Sequence, residues 1–264
     1  HHLTDQHYLK AEQYKDASNL SARAALHRLF SVNSHPWHRW VFDAFELPES
    51  CHILEIGCGT GHLWLENRDR IPPGWTVVLS DLSSGMVHEA RSSLGREHRR
   101  FRYRVTDAEA LPFPNESFDA VVANHMLYHV PDRERILHEI KRVLRPAGQL
   151  YAATNGHGHL QELWDLVGRF YPDMSMEESA REFGLENGKA QLLPHFPHVT
   201  VHRREDGLKV TETEPLIRYV LSCISDDDPS PRVEALRCAV REEIAAQGAV
   251  YIQKDSGLFR ATKA

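Results

Sequence analysis

From residue 5 to residue 46 the apolar and aromatic positions, among them Tyr8, Ala11 and Tyr14 and then Leu26, Leu29 and Phe30, recur at three- and four-residue steps. That spacing draws one apolar stripe along a helix. Asn19 and Ser21 are placed as caps between two short helices, and Pro36 suits the first turn of a third that carries Trp37, Trp40, Val41 and Phe45. After Pro48 the period changes. Residues 53–56 form a short apolar run that stops at a glycine cluster, as a buried strand does on entering a turn. Then come a helix from about Gly61, a strand over 76–80, a helix over 83–95, a strand over 101–106, a strand over 118–123, a helix over 132–144 and a strand over 148–154. Strands alternating with helices predict a parallel, doubly wound α/β sheet.

The remaining chain is less regular. Helices are expected over 160–170, 176–183, 214–222 and 232–247. Strands are expected over 198–204 and 208–212, joined across Glu205-Asp206-Gly207, with a return to strand character at 250–253 and 257–261. The division this suggests is a helical segment 1–46, a core 47–156, and a completion of the sheet with helical inserts over 157–264, all in one integrated domain.

Of the 264 residues 41% are hydrophobic, enough for a sizeable core, and the net charge of −6 does not favour a polyanionic partner. No stretch has the length of a membrane span and the N-terminus lacks a signal-peptide pattern, so a cytoplasmic protein without nucleic-acid partners is expected. Cys51, Cys58, Cys223 and Cys238 have no CxxC spacing, and no histidines form an HExxH pair, so no metal is implied.

The strongest motif is Glu55-Ile56-Gly57-Cys58-Gly59-Thr60-Gly61 at a strand-to-helix turn. Glycines there let the backbone turn sharply and approach a ligand closely. The G-x-G-x-G spacing differs from the G-x-G-x-x-G of dinucleotide sites, and an acid before the first glycine suits an ammonium better than a pyrophosphate. Asp81 ends the next strand, where such folds place an acceptor for ribose hydroxyls. Thr106-Asp107-Ala108-Glu109 follows the third strand, and Phe118-Asp119-Ala120-Val121-Val122-Ala123-Asn124 and Leu144-Arg145-Pro146-Ala147-Gly148 follow in turn.

With these motifs in this order, the chain resembles the class I S-adenosylmethionine-dependent methyltransferases, especially the branch similar to the ubiquinone and menaquinone C-methyltransferases. The resemblance covers about residues 50–155. It implies a mostly parallel seven-stranded sheet with an antiparallel last strand, a helical N-terminal lid, S-adenosylmethionine as cofactor and a small-molecule methyl acceptor. It further implies that Gly57, Cys58, Gly59 and Gly61 line the methionine portion and that Glu55 orients the loop. Asp81 would hold the ribose, with Leu82 and Met86 beside the adenosine. Asp107 would accept from the adenine amine with Ala108 and Glu109 alongside, and Asn124 would lie beside the sulfonium. The flanks, with Tyr14, Asn19-Leu20, Arg23, His27 and Phe30-Ser31, are similar to a narrower group of bacterial small-molecule methyltransferases, which makes Tyr14 a candidate contact to the methionine carboxylate or the substrate.

In Asn124-His125-Met126-Leu127-Tyr128-His129 the two imidazoles His125 and His129 are candidate bases, since an unperturbed histidine titrates near neutrality. Trp37, Trp40, Trp164, Phe170 and Tyr171 are candidates to wall an apolar pocket or to fill core. Two rivals remain at this level. A nicotinamide-dependent oxidoreductase would need the other glycine spacing and a Tyr-x-x-x-Lys pair. A catalytically silent binding protein of methyltransferase fold would not need the intact Gly57 to Gly61 turn, Asp81 and Asp107 together.

Overall fold

The computed structural model describes residues 18–95, 100–172, 178–224 and 230–264. Seven strands form one sheet: β1 (Ser50–Ile56), β2 (Gly74–Asp81), β3 (Phe101–Val105), β4 (Phe118–Asn124), β5 (Leu144–Asn155), β6 (His198–Val210) and β7 (Val250–Thr262). Their order across the sheet is β3-β2-β1-β4-β5-β7-β6. The first five run parallel, and β7 is antiparallel to both of its neighbours. The order reverses between β1 and β4, and ligands of doubly wound sheets bind in the crevice at the carboxyl end of that switch.

Ten α-helices are described. α1 (Ser18–Phe30) and α2 (Trp37–Asp43) precede the sheet, and α3 (His62–Glu66), α4 (Ser84–Leu94) and α5 (Arg133–Val143) are its crossovers. α6 (Gln161–Gly168), α7 (Glu178–Phe183) and α8 (Gly188–Leu192) lie between β5 and β6, and α9 (Thr213–Leu221) and α10 (Pro231–Gln247) between β6 and β7. Ser83 and Asp132 cap α4 and α5 by accepting from Met86 N–H and Arg135 N–H, as short polar side chains do at helix starts.

Successive strand residues face opposite cores. Leu54, Ile56, Val121, Ala123, Leu150 and Ala152 pack beneath α5 with Ile136, Leu137 and Ile140. Ile53, Val77, Leu79, Ala120, Val122 and Tyr151 pack on the other side with Val41, Phe42, Leu63 and Trp64. A sheet covered on both faces needs apolar residues at every position, which is why β4 reads as the unbroken run Ala120-Val121-Val122-Ala123. A third core, with Leu26, Leu163, Leu216, Leu236, Leu208 and Ile252, joins α1, α6, α9 and α10 to the far halves of β6 and β7.

The expected helices and strands map onto these elements with four differences, one being that the expected strand pieces 250–253 and 257–261 are a single strand, β7. α1 starts at Ser18, so Asn19 and Ser21 lie within it rather than capping a break; the expected helix around Tyr8 and Tyr14 lies outside the described residues. α8 is an additional short helix. Glu205-Asp206-Gly207 is not a turn. β6 runs straight through it and pairs with β7 at every position from His198 opposite Thr262 to Val210 opposite Val250. The polar residues that suggested a turn form a buried ionic cluster instead. Asp206, its side chain 1% exposed, accepts at 2.6 Å from both Arg204 Nη1 and Lys254 Nζ. It also accepts from Ser31 Oγ and Asn33 N–H, which ties the chain after α1 to the ribbon. Against the cost of burial, the hydrogen bonds from Lys254 and Ser31 hold its carboxyl well below the usual carboxylate range.

Removing this anion strands two buried cations, a loss typically worth about 3–5 kcal/mol. Asp206→Ala is therefore expected to lose about that much stability in urea unfolding of the unliganded protein. A loss of less than about 1 kcal/mol, the scale of a surface pair, would show that the cluster is solvated and not a fixed core element.

Candidate active site

β1 ends at Ile56 and the chain turns through Gly57, Gly59 and Gly61, whose φ values are 65°, 52° and 77°. Side chains rarely adopt that region, and glycine takes it freely. Gly57 has a second reason to be glycine: a Cβ there would stand 2.8 Å from the Cβ of Met126, beyond the end of β4. The turn is pinned from β2. Cys58 N–H donates to Ser80 O and Gly59 N–H to Asp81 Oδ2, both at 2.9 Å. The other Asp81 oxygen accepts from Ser83 N–H at 2.9 Å, at the cap of α4. Burial raises the Asp81 pKa, and the backbone N–H groups of Ser83, Gly59 and Leu82 counter part of that rise.

Glu55 lies beneath the turn with only 2% of its surface exposed, and its Oε2 accepts from Trp64 Nε1 on α3 at 2.6 Å. Burial pushes its pKa up to about 8, with the Trp64 hydrogen bond opposing and Asp81 adding to the rise. At neutral pH the unliganded protein thus keeps Glu55 largely protonated. Its observed contact braces β1 against α3, whereas the expected attraction for an ammonium needs the ionised form.

Leu82 is half-buried, and Met86 is buried on the inward side of α4. After β3, Thr106 N–H donates to Asp81 O, which brings that strand end to the same place. Asp107 forms a local turn, its Oδ1 accepting from Glu109 N–H at 2.9 Å; Ala108 packs on the core beneath. Glu109 Oε1 accepts from Asp132 N–H at the start of α5, so this side chain staples the loop. Asn124 ends β4, and its Oδ1 is buried with no hydrogen-bond partner among the described residues. Glu55, Gly57, Cys58, Gly59, Gly61, Asp81, Leu82, Met86, Asp107, Ala108, Glu109 and Asn124 are therefore all gathered at the carboxyl ends of β1 to β4. Tyr14 lies outside the described residues.

His125 follows Asn124 in left-handed backbone, φ 50°, and donates its N–H to Ala153 O on β5. Its ring centre is 5.2 Å from that of Trp37. Burial, then the charges of His38, Lys254 and His129, lower its pKa to about 4. His129 ends the one-turn 3-10 helix Leu127–His129, with its ring 4.5 Å from that of Tyr128. The aromatic candidates divide. Trp37 and Trp40 stack on each other and border the core shared with α2, while Trp164, Phe170 and Tyr171 belong to the third core.

Four polar residues near this edge, Arg204, Asp206, Lys254 and His159, are not among the site residues that the sequence motifs mark. His159 Nδ1 accepts from Asp255 N–H at 3.3 Å, and burial holds its pKa well below the ordinary value. The available signal was an acid and a lysine in register on two late strands, which reveals itself only once those strands are known to pair throughout.

The strand order and the antiparallel β7 match the α/β fold of class I methyltransferases. Residues 54–152 match a family described as a methyltransferase domain. The ubiquinone/menaquinone biosynthesis C-methyltransferase of Hahella chejuensis is 35% identical over 126 residues, which are 46% of this chain and 50% of that protein. The chain thus spans about half the length of the curated relatives it matches. Among solved structures, a phosphoethanolamine N-methyltransferase of Haemonchus contortus, in complex with S-adenosyl-L-methionine, has 19% identity and a TM-score of 0.60, covering 98% of this chain and 59% of that one. The YcgJ protein of Bacillus subtilis has 19% identity and a TM-score of 0.58, covering 85% and 96%. At these identities the two structures speak to the fold. No helix among the described residues is long and apolar enough to cross a membrane.

Glu55 gives this site a pH signature. An acid whose folded pKa is raised from 4.5 to about 8 contributes stability that is complete below the lower value and is lost as pH rises through the upper one. Glu55→Gln, which still accepts from Trp64 and carries no charge, is expected to flatten the fall in melting temperature of the unliganded protein between about pH 5 and pH 8. A profile parallel to the parent's would show that Glu55 titrates normally.

Proposed function

We propose that the protein binds S-adenosylmethionine at the carboxyl edge of β1 to β4 and transfers its methyl group to a small-molecule acceptor. The observation that carries this reading is the Asp81 carboxylate, shared between Gly59 N–H in the glycine turn and Ser83 N–H at the α4 cap. It sets an acceptor for ribose hydroxyls beside a turn open enough for a methionine chain. The relatives of the matched domain, of which the Hahella protein is a C-methyltransferase, support the same chemistry.

In this reading Gly57 to Gly61 hold the methionine portion, Asp81 the ribose, Leu82 and Met86 the adenosine, and Asp107 with Ala108 and Glu109 the adenine end. Asn124, whose Oδ1 is an acceptor without a partner among the described residues, stands at the reacting end. The cofactor supplies a methyl group on positively charged sulfur. The acceptor's electron pair forms the new bond to the methyl carbon as the carbon–sulfur bond breaks, and the positive charge on sulfur is lost. The protein's part is alignment and exclusion of water, effects worth roughly 7–11 kcal/mol in favourable cases. His125, half-buried and with its pKa lowered to about 4, is a poor proton acceptor at neutral pH and serves to shape the site; His129 remains the candidate base if the acceptor begins protonated. Of the expected lid over 1–46, α1 and α2 are fixed parts of the core, through Leu26 and Phe30 and through Val41 and Phe42, and Tyr14 stays a proposed contact to the methionine carboxylate or the substrate.

A dinucleotide fits the turn less well. α3 has five residues and starts from a left-handed Gly61, so it offers little of the aligned helix dipole that holds a pyrophosphate.

Calorimetry is expected to show S-adenosylhomocysteine binding at one site per chain and no binding of NAD or NADP. Asp81→Asn keeps the volume and turns one acceptor into a donor. It is expected to weaken that binding by about 1.5–3 kcal/mol, roughly tenfold to a hundredfold. Binding of NAD, or an unchanged affinity in Asp81→Asn, would overturn the assignment.

A further inference from the structure

Beyond the cofactor edge, one face of the β6–β7 ribbon is built unlike the other. Asp206 stands opposite Lys254 and Arg204 opposite Ser256, so the four side chains share a face. Arg203 and Asp255 occupy the reverse face, where they pair with each other and Arg203 also reaches Glu186. The first face and its neighbours bring together residues from five other places. Trp37 of α2 lies 5.9 Å from the Arg204 guanidinium carbon, and its ring is also the one against His125. His27 of α1 lies 6.2 Å from His159 and 5.7 Å from Tyr219 of α9, measured between ring centres. Ser256 Oγ sits 3.1 Å from His159 Nδ1 and 2.8 Å from Asn155 Oδ1 at the end of β5. A wall of flat rings and polar groups therefore runs without interruption from the end of β4, where the methyl group would be delivered, to the ribbon.

The wall has two cations for one anion. Arg204 and Lys254, with side chains 3% and 7% exposed, share Asp206 as their one acid among the described residues. Arg204 Nη2 is taken by His35 O, and its Nε has no hydrogen-bond partner among the described residues. The same holds for His27 Nδ1 and for Asn124 Oδ1. Buried polar atoms are nearly always paired, so the unpaired atoms of Arg204 and His27, two residues within reach of the Lys254 charge, mark a position for a ligand or water. The excess positive charge favours a negative ligand. The histidines answer to the same field: burial, followed by the Lys254 charge, lowers the pKa of His27 to about 3.

We propose that this cluster is the acceptor site and that it takes a small flat molecule carrying an anionic oxygen, seated against Trp37 with its charge toward Lys254 and Arg204 Nε. The inference rests on the methyltransferase reading of the adjoining edge. It adds a substrate class, an aromatic oxyanion, whether carboxylate or ionised phenol.

The test uses the full chain saturated with S-adenosylhomocysteine and titrated with benzoate, 4-nitrophenolate and benzamide, followed by calorimetry. At least one anion is expected to bind about tenfold or more tightly than benzamide, the scale of a charge-assisted contact. The anion that does so tells carboxylate from phenolate. Lys254→Met is expected to bring the anion within about twofold of benzamide while Lys254→Arg keeps the preference and the nucleoside affinity stays as in the parent. Benzamide binding as well as both anions, or a preference that survives Lys254→Met, overturns the proposal. If Lys254→Met is too unstable to purify, the comparison of probes in the parent decides alone. Failure of S-adenosylhomocysteine to bind would instead sink the methyltransferase reading; its binding without any anion preference would sink only the acceptor class.

Discussion

The carboxylate of Asp81 is the joint on which the site depends. Backbone N–H groups at strand-to-helix turns must be satisfied, and here one side chain satisfies two of them from different turns, Gly59 after β1 and Ser83 before α4. Asp81 O, on the same residue, accepts from Thr106 N–H after β3. Three strand ends are thereby fixed to one residue. The positive φ values of Gly57, Gly59 and Gly61 and the close approach of Gly57 to Met126 follow from holding the first turn in that place. The fourth strand end is then fixed as well, because Met126 is only two residues past Asn124.

A second constraint acts on the far side. The two faces of the parallel strands are filled by two apolar cores, and those cores would be complete without α1, α6, α9 and α10. The later helices gather instead on the extension of β6 and β7 beyond the parallel strands, around a third core. Asp206 links this outer layer to the chain after α1 through Ser31 and Asn33. The arrangement stands beside the cofactor edge and brings Trp37, His27 and Tyr219 toward His125. A buried anion serving two cations is costly to desolvate, which makes its persistence here more informative about the site than about stability.

The division between what the sequence discloses and what it hides has a physical basis. β1, β2 and β4 are visible through the apolar runs at their buried centres, Ile53-Leu54, Val77-Val78-Leu79 and Ala120-Val121-Val122-Ala123, and the turn after β1 because glycine takes its backbone angles freely. Ser83, Gly95 and Asp132 mark helix ends by local chemistry, so the limits of α4 and α5 are legible to within a residue. Asp206 is misleading by the same logic. Arg204-Glu205-Asp206-Gly207 has the composition of a turn, and only the pairing of Asp206 with Lys254, 48 residues later, makes it a strand interior. Glu55 is legible as a position and not as a state, since its protonation depends on Trp64 and on the burial that the folded core imposes. The acid before the glycines thus marks the glycine turn, while its contact is with α3.

The central claim, that the turn held by Asp81 is where S-adenosylmethionine binds, is tested most directly by amide hydrogen exchange with and without S-adenosylhomocysteine. The account predicts slowed exchange at Cys58 to Gly61, at Leu82 to Met86 and at Asp107 to Glu109, with little change at the opposite edge around Ser50 and Gly74. Protection confined to that opposite edge, or no protection at any of the three turns at saturating nucleoside, would contradict it.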